Sequence, residues 1–202
     1  MKNMIDIISN EINDSKNELS DFNIDNRIEN DILEDSLLID EKRPSIKNIL
    51  ELLSDKEITN DMSLNEIQFF LEILKEDICE SLGIEKEPLL NVCDLENDTM
   101  CGFYDEKTNF IYINKTLLPE LGETIDTIIH ECRHCYQIEY IKDYNIQDEL
   151  KEYFFKGFEE YINGEDNYLD YYFNPIEVDA REYASNLLNE YGYTKGDFYY
   201  EL

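Results

Sequence analysis

Thr127-Ile128-Ile129-His130-Glu131-Cys132-Arg133-His134-Cys135-Tyr136-Gln137 is the stretch that decides the reading of this 202-residue chain. It contains both histidines of the protein, with a glutamate directly after the first. On a helix of about 3.6 residues per turn, His130 and His134 lie one above the other on one face. Ile125, Ile128, Ile129, Cys132 and Tyr136 gather on a different face, as a core-packing stripe should. The two imidazoles therefore point away from that stripe, into whatever lies across the helix, with Glu131 toward one side. This is the H-E-x-x-H pattern, in which two imidazoles share one Zn²⁺ and the glutamate serves as base. Two solvated surface histidines are the plainer alternative. The metal reading is preferred because spacing, neighbouring acid and helix face agree.

Working outward, the hydrophobic period changes in a definite order. Ser45 is placed to cap a short helix carrying Ile46, Ile49, Leu50 and Leu53. Ser63-Leu64-Asn65-Glu66 reads as a capping box, followed by Ile67, Phe70, Leu71, Leu74 and Ile78 at helical spacing until Gly83. Leu89 to Cys93 reads as a strand, and Met100 to Tyr104 with Phe110 to Asn114 as a hairpin across residues 105–109. Helical pattern returns over about residues 123–140, 149–162 and 175–191. Helices, then a small sheet, then helices predict an α+β fold. The expected organisation is an acidic arm or helical extension over residues 1–44, with a joint at Lys42-Arg43-Pro44, and one domain over residues 45–202.

Charge bounds the partners. With 48 acidic against 17 basic side chains, the net charge is -31, spread over both halves of the sequence. Direct binding to nucleic acid is not expected, because phosphates need a basic surface. An anionic membrane would be repelled as well. The expected partner is a protein or peptide substrate, and charge favours a basic one. No apolar run is long enough to span a bilayer, and Asp6 interrupts the apolar start, so neither a membrane span nor a secretory signal is predicted. Five cysteines without scaffold spacing fit a reducing, cytoplasmic setting. Cys132 falls on the core stripe, and Cys135 at its edge is expected to be open to oxidation. Arg133 is expected in a local ion pair.

A catalytic zinc site takes three protein ligands and keeps one position for water. No third histidine exists, so the remaining ligand must be a carboxylate or, less favourably, a thiolate. The best carboxylate is Glu177 in Asn174-Pro175-Ile176-Glu177-Val178-Asp179-Ala180-Arg181-Glu182-Tyr183-Ala184. Glu177, Ala180, Ala184, Leu188 and Tyr191 share a face of the predicted helix, and the alanines would allow close approach to the histidine helix. A buried acid at the head of such a stripe is costly unless compensated. The competing reading makes Asn174 the N-cap and Pro175 the first helical residue, so that Glu177 completes a capping box.

The histidine-containing stretch resembles the active-site helix of the zincin metallopeptidases. Gly102-Phe103-Tyr104 and Asn109 to Asn114 resemble the hairpin that precedes that helix in many small members. Glu177-Val178-Asp179-Ala180 with Tyr183-Ala184 resembles the Glu-x-x-Ala signature of gluzincins, including the ImmA/IrrE type, over about residues 100–190. The resemblance implies that His130, His134 and Glu177 hold Zn²⁺, and that Glu131 takes a proton from the activated water and delivers it to the leaving amine. It implies Phe110 to Asn114 as an edge strand lining the substrate cleft; a plain core hairpin is the alternative. It also implies an oxyanion-stabilising side chain, sought among Tyr168, Tyr171, Tyr172 and Tyr183. Arg181 stands where an integral-membrane gluzincin type carries Asp, and could pair with Glu177 instead. The expected function is zinc-dependent hydrolysis of a cytosolic protein. The alternative is an acidic binding or inhibitor protein that occupies a basic, nucleic-acid-binding site by charge mimicry, with any zinc site structural or vestigial.

Overall fold

A three-stranded sheet and the long histidine-bearing helix are the parts of the fold that place the site. The computed structural model describes residues 45–95, 100–162, 164 and 166–198. The expected arm over residues 1–44 lies outside the described residues. Within them the elements are α1 (Ile46–Ser54), α2 (Lys56–Asp61), α3 (Leu64–Leu82), β1 (Leu89–Cys93), β2 (Gly102–Asp105), β3 (Phe110–Asn114), α4 (Leu121–Lys142), α5 (Glu149–Glu159), α6 (Tyr168–Tyr172) and α7 (Pro175–Glu190). One turn of 3₁₀ helix precedes α4 at Lys115–Leu117, and another follows α7 at Lys195–Asp197. This is the expected α+β arrangement, with a small sheet packed on α4 and helices to either side.

The local causes are visible. The Ser63–Glu66 capping box opens α3, and Gly83 closes it in the left-handed conformation at φ 71°. Ser45 occupies the cap position of α1, but its hydroxyl makes no cap bond and instead meets Asn48 Oδ1 at 3.3 Å. Asn109, at φ 59°, turns the chain from β2 into β3. Its amide also donates to Glu87 O at 2.9 Å, which ties the turn to the segment entering β1.

Sheet order is β1-β3-β2, with β1 parallel and β2 antiparallel to β3. Phe110–Asn114 is therefore the central strand, which corrects the expectation that it forms an edge. Among the described residues, the strand beside α4 with no strand on its outer edge is β2. Its pairing with β3 uses one row of backbone groups, and Tyr104 N–H points outward from the other. Gly102 permits this placement: a Cβ there would stand 2.6 Å from Tyr112 O and 2.9 Å from Thr127 Cγ2 on α4.

α4 runs through the middle of the described structure. Ile125, Ile128, Ile129 and Cys132 are wholly buried, as the stripe requires. The histidine face is covered too, chiefly by α7, which packs on α4 more extensively than any other element does. Ala180, Ala184 and Leu188 form the buried face of α7, and the small alanines leave room for the close approach. Cys135 is not oxidation-prone: it is fully buried, and burial pushes its thiol up to about 12. Lys75 is buried with its charge met by Glu72 at 2.8 Å and Glu87 at 2.6 Å.

Candidate metal centre

Two helices deliver three donors to one place. His130 and His134, one turn apart on α4, set their rings at 84° to each other with centroids 4.6 Å apart. Glu177 reaches them from the first turn of α7. That turn is fixed by Asn174, whose Oδ1 accepts from Ile176 N–H at 3.1 Å while its Nδ2 donates to Gly157 O on α5 at 2.9 Å. The Asn174 N–H bonds to Tyr171 O at 3.1 Å. Glu177 therefore completes no capping box, and its carboxylate is turned inward instead.

His130 Nε2 lies 3.3 Å from Glu177 Oε2, and His134 Nε2 lies 3.4 Å from Glu177 Oε1. One ligand atom from each of the three residues falls within 4.8 Å of the others. Glu177 is 2% exposed, and its Oε2 is buried without a hydrogen-bond partner. Leaving a buried carboxylate oxygen without a hydrogen bond costs about 1–3 kcal/mol or more, a cost that a proton or a cation held between this carboxylate and the two imidazoles would offset. Two imidazole nitrogens and a carboxylate oxygen are the donor set that zinc accepts. Among the described residues this set has three protein donors rather than the four of a closed structural site. A second acid cluster, Glu72, Glu76 and Glu87, already holds a cation of its own, the Lys75 ammonium, which pairs with Glu72 and Glu87.

The electrostatics follow from burial and apposition. Burial alone would raise the Glu177 pKa, but the facing His130 and His134 hold it well below the carboxylate range. Burial alone would lower that of His134; Glu177 opposite it, with the charge of Glu131, instead raises it to about 9. Without a metal, a proton is thus held between His134 and Glu177.

Glu131 is buried beside this triad, and its Oε2 accepts from the outward-pointing Tyr104 N–H of β2 at 2.9 Å. Arg133 does make an ion pair, though not a local one. It grips Asp179 of α7 through Nε–Oδ2 at 2.7 Å and Nη2–Oδ1 at 3.1 Å, and packs against the Tyr136 and Tyr183 rings. Arg181 stands 3.8 Å from Glu177 Oε2, lies over the Tyr172 ring and donates to Tyr172 O.

Of the four tyrosines singled out in the sequence, Tyr171 is the one that answers to the Glu177 charge. Burial first, and then that charge, push its pKa up. Tyr161, absent from that group, is pushed up for the same two reasons. Tyr183 is committed to Arg133, Tyr172 to Arg181, and Tyr168 is largely exposed. Sequence reasoning also passed over Gln137, which is wholly buried. Its Oε1 lies 2.8 Å from His134 Nδ1, and its Nε2 donates to Ile176 O at 3.0 Å and Asp179 Oδ2 at 2.7 Å. Its place three residues after the second histidine was the one signal that could have marked it. Comparison with protein-family models, curated proteins and solved structures finds no match for this chain.

Proposed function

We propose that the chain is a zinc-dependent peptidase, with His130, His134 and Glu177 as ligands and Glu131 as general base. The observation that carries this reading is the buried Glu177 carboxylate set 3.3 and 3.4 Å from the Nε2 atoms of the two histidines of an H-E-x-x-H helix. Three converging donors with a further carboxylate alongside match a catalytic rather than a structural site. Held there, zinc supplies Lewis acidity, which makes water nucleophilic near neutral pH and polarises a carbonyl.

The chain's own residues do the rest. Glu131 takes the proton of the attacking water and returns it to the leaving amine, while the Tyr104 N–H holds its carboxylate in place. Tyr161 and Tyr171, phenols that lie close enough to Glu177 to be affected by its charge and are protonated at neutral pH, serve as O–H donors to the developing oxyanion. Apart from Tyr104 N–H, which Glu131 takes, the outer edge of β2 offers its backbone groups to an extended peptide. A net charge of -31 favours a basic one.

Protein purified without chelator or added metal should carry about one zinc per chain, and should cleave a basic protein substrate in a chelator-sensitive way. Glu131→Gln should keep the zinc and lose cleavage by a factor of about 10²–10⁴. Less than about a tenth of an equivalent of zinc, together with cleavage unchanged by Glu131→Gln, would overturn the proposal.

A further inference from the structure

We propose that Gln137 is a positioning residue of this centre. With Asp179 and Arg133 behind it, Gln137 fixes the tautomer and orientation of His134 so that Nε2 is presented to the metal. The inference rests on the metal reading above for its consequence, though the geometry of the chain of contacts stands independently of it.

The orientation of the Gln137 amide is decided by its neighbours. Its nitrogen faces two acceptors, the Ile176 carbonyl at 3.0 Å and Asp179 Oδ2 at 2.7 Å. A backbone carbonyl cannot donate, and Asp179 Oδ2 already accepts from Arg133 Nε at 2.7 Å. Turning the amide over would set its oxygen against both, so the nitrogen must point at them. The oxygen then faces His134 Nδ1 at 2.8 Å, and an amide oxygen can only accept. Nδ1 therefore carries a proton, and the lone pair available to a metal is on Nε2. That is the nitrogen 3.4 Å from Glu177 Oε1, on the side to which His130 also turns its Nε2.

Burial makes the arrangement rigid. Gln137 is wholly buried, and loss of its amide would leave the Ile176 carbonyl and Asp179 each short of a donor. Asp179 lies two residues after Glu177 on α7, so docking of α7 on α4 sets the third ligand and the orienting chain together. A ligating histidine usually gives its second N–H to a carboxylate, a carbonyl or water. Here a neutral amide stands between the ring and the carboxylate, and the Asp179 charge is spent on Arg133 rather than on the imidazole.

The test uses the full chain with ¹⁵N-labelled histidine, metal-free and with zinc added. Zinc-loaded wild type, and metal-free wild type above about pH 9 where His134 is neutral, should show a protected proton on His134 Nδ1, and Gln137→Met should lose that protection. In competition with a zinc-binding dye, Gln137→Met and Asp179→Ala should bind zinc about 10–100-fold more weakly than wild type. Asp179→Asn retains an acceptor for the Gln137 amide and should recover most of that loss, which a merely structural defect would not. A wild-type His134 without a proton on Nδ1 would overturn the proposal whatever the variants do, including a variant that fails to fold. So would zinc affinity in folded Gln137→Met within about twofold of wild type. If wild type binds no zinc yet its Nδ1 protection depends on Gln137, the metal reading fails and the orienting role stands.

Discussion

The pairing of His134 with Glu177 gives the metal-free protein a definite pH response. The His134 pKa in the folded chain, about 9, lies above its ordinary value of 6.5. Its contribution to stability is therefore fully present below 6.5, shrinks above that, and is lost as pH rises through about 9. Glu177 is shifted the other way, so its contribution is present above the ordinary carboxylate value of 4.5 and is lost as pH falls toward its lowered folded value. Both shifts describe one interaction and are counted once. Thermal melts of metal-free protein should thus show Tm falling between pH 7 and pH 9.5 (about the window these shifts define). His134→Ala should flatten that fall, and a zinc-loaded sample should not show it, because zinc takes the place of the proton. A metal-free wild type with constant Tm across this window would contradict the pairing.

At the scale of elements, α3, α4, α7 and the hairpin could be read from hydrophobic period and capping residues, because each buries one face. Strand order could not. Alternation says which residues face the core but nothing about which strand lies in the middle, so Phe110–Asn114 was given the edge that belongs to Gly102–Asp105. The short helices α2 and α6 were passed over, since five or six residues are too few to show a period. That His130, His134 and Glu177 come together was legible because metal chemistry restricts residue type and spacing. Gln137, Asp179 and Tyr161 were not, because a polar side chain acquires its partners only when α7 and the α5–α6 segment are docked on α4. That docking depends on close contacts, and Gly122 in the first turn of α4 marks one of them. A Cβ there would lie 1.9 Å from Lys195 O, in the 3₁₀ turn whose Lys195 ammonium reaches Glu123 and Asp126 at 3.0 Å each. Gly122→Ala should cost about 1–3 kcal/mol, or roughly 2–4 °C of Tm for each kcal/mol. Gly196→Ala, in the same turn, would meet only Thr194 Oγ1 at 3.8 Å and should be tolerated. Equal melting temperatures for the two variants would refute the close contact at Gly122.

Over the whole molecule, the charge of -31 says less about chemistry than about the company the protein keeps. Acidic surface attracts a basic polypeptide over roughly a Debye length, about 10 Å at 0.1 M salt and 3 Å at 1 M. If that attraction serves capture of a substrate for cleavage, kcat/KM on a basic protein should fall steeply as salt rises while kcat stays nearly constant. A salt-independent kcat/KM would remove charge from the account of substrate choice. Charge mimicry without catalysis would look different: stoichiometric binding that weakens with salt and survives His130→Ala.

The most direct measurement of the central claim compares intact protein masses in a lysate treated with wild type and with Glu131→Gln. The peptidase reading predicts a set of truncated proteins with new termini in the wild-type sample, absent with Glu131→Gln and absent when wild type is stripped by chelator. Identical mass profiles from wild type and Glu131→Gln, with zinc bound in both, would contradict it.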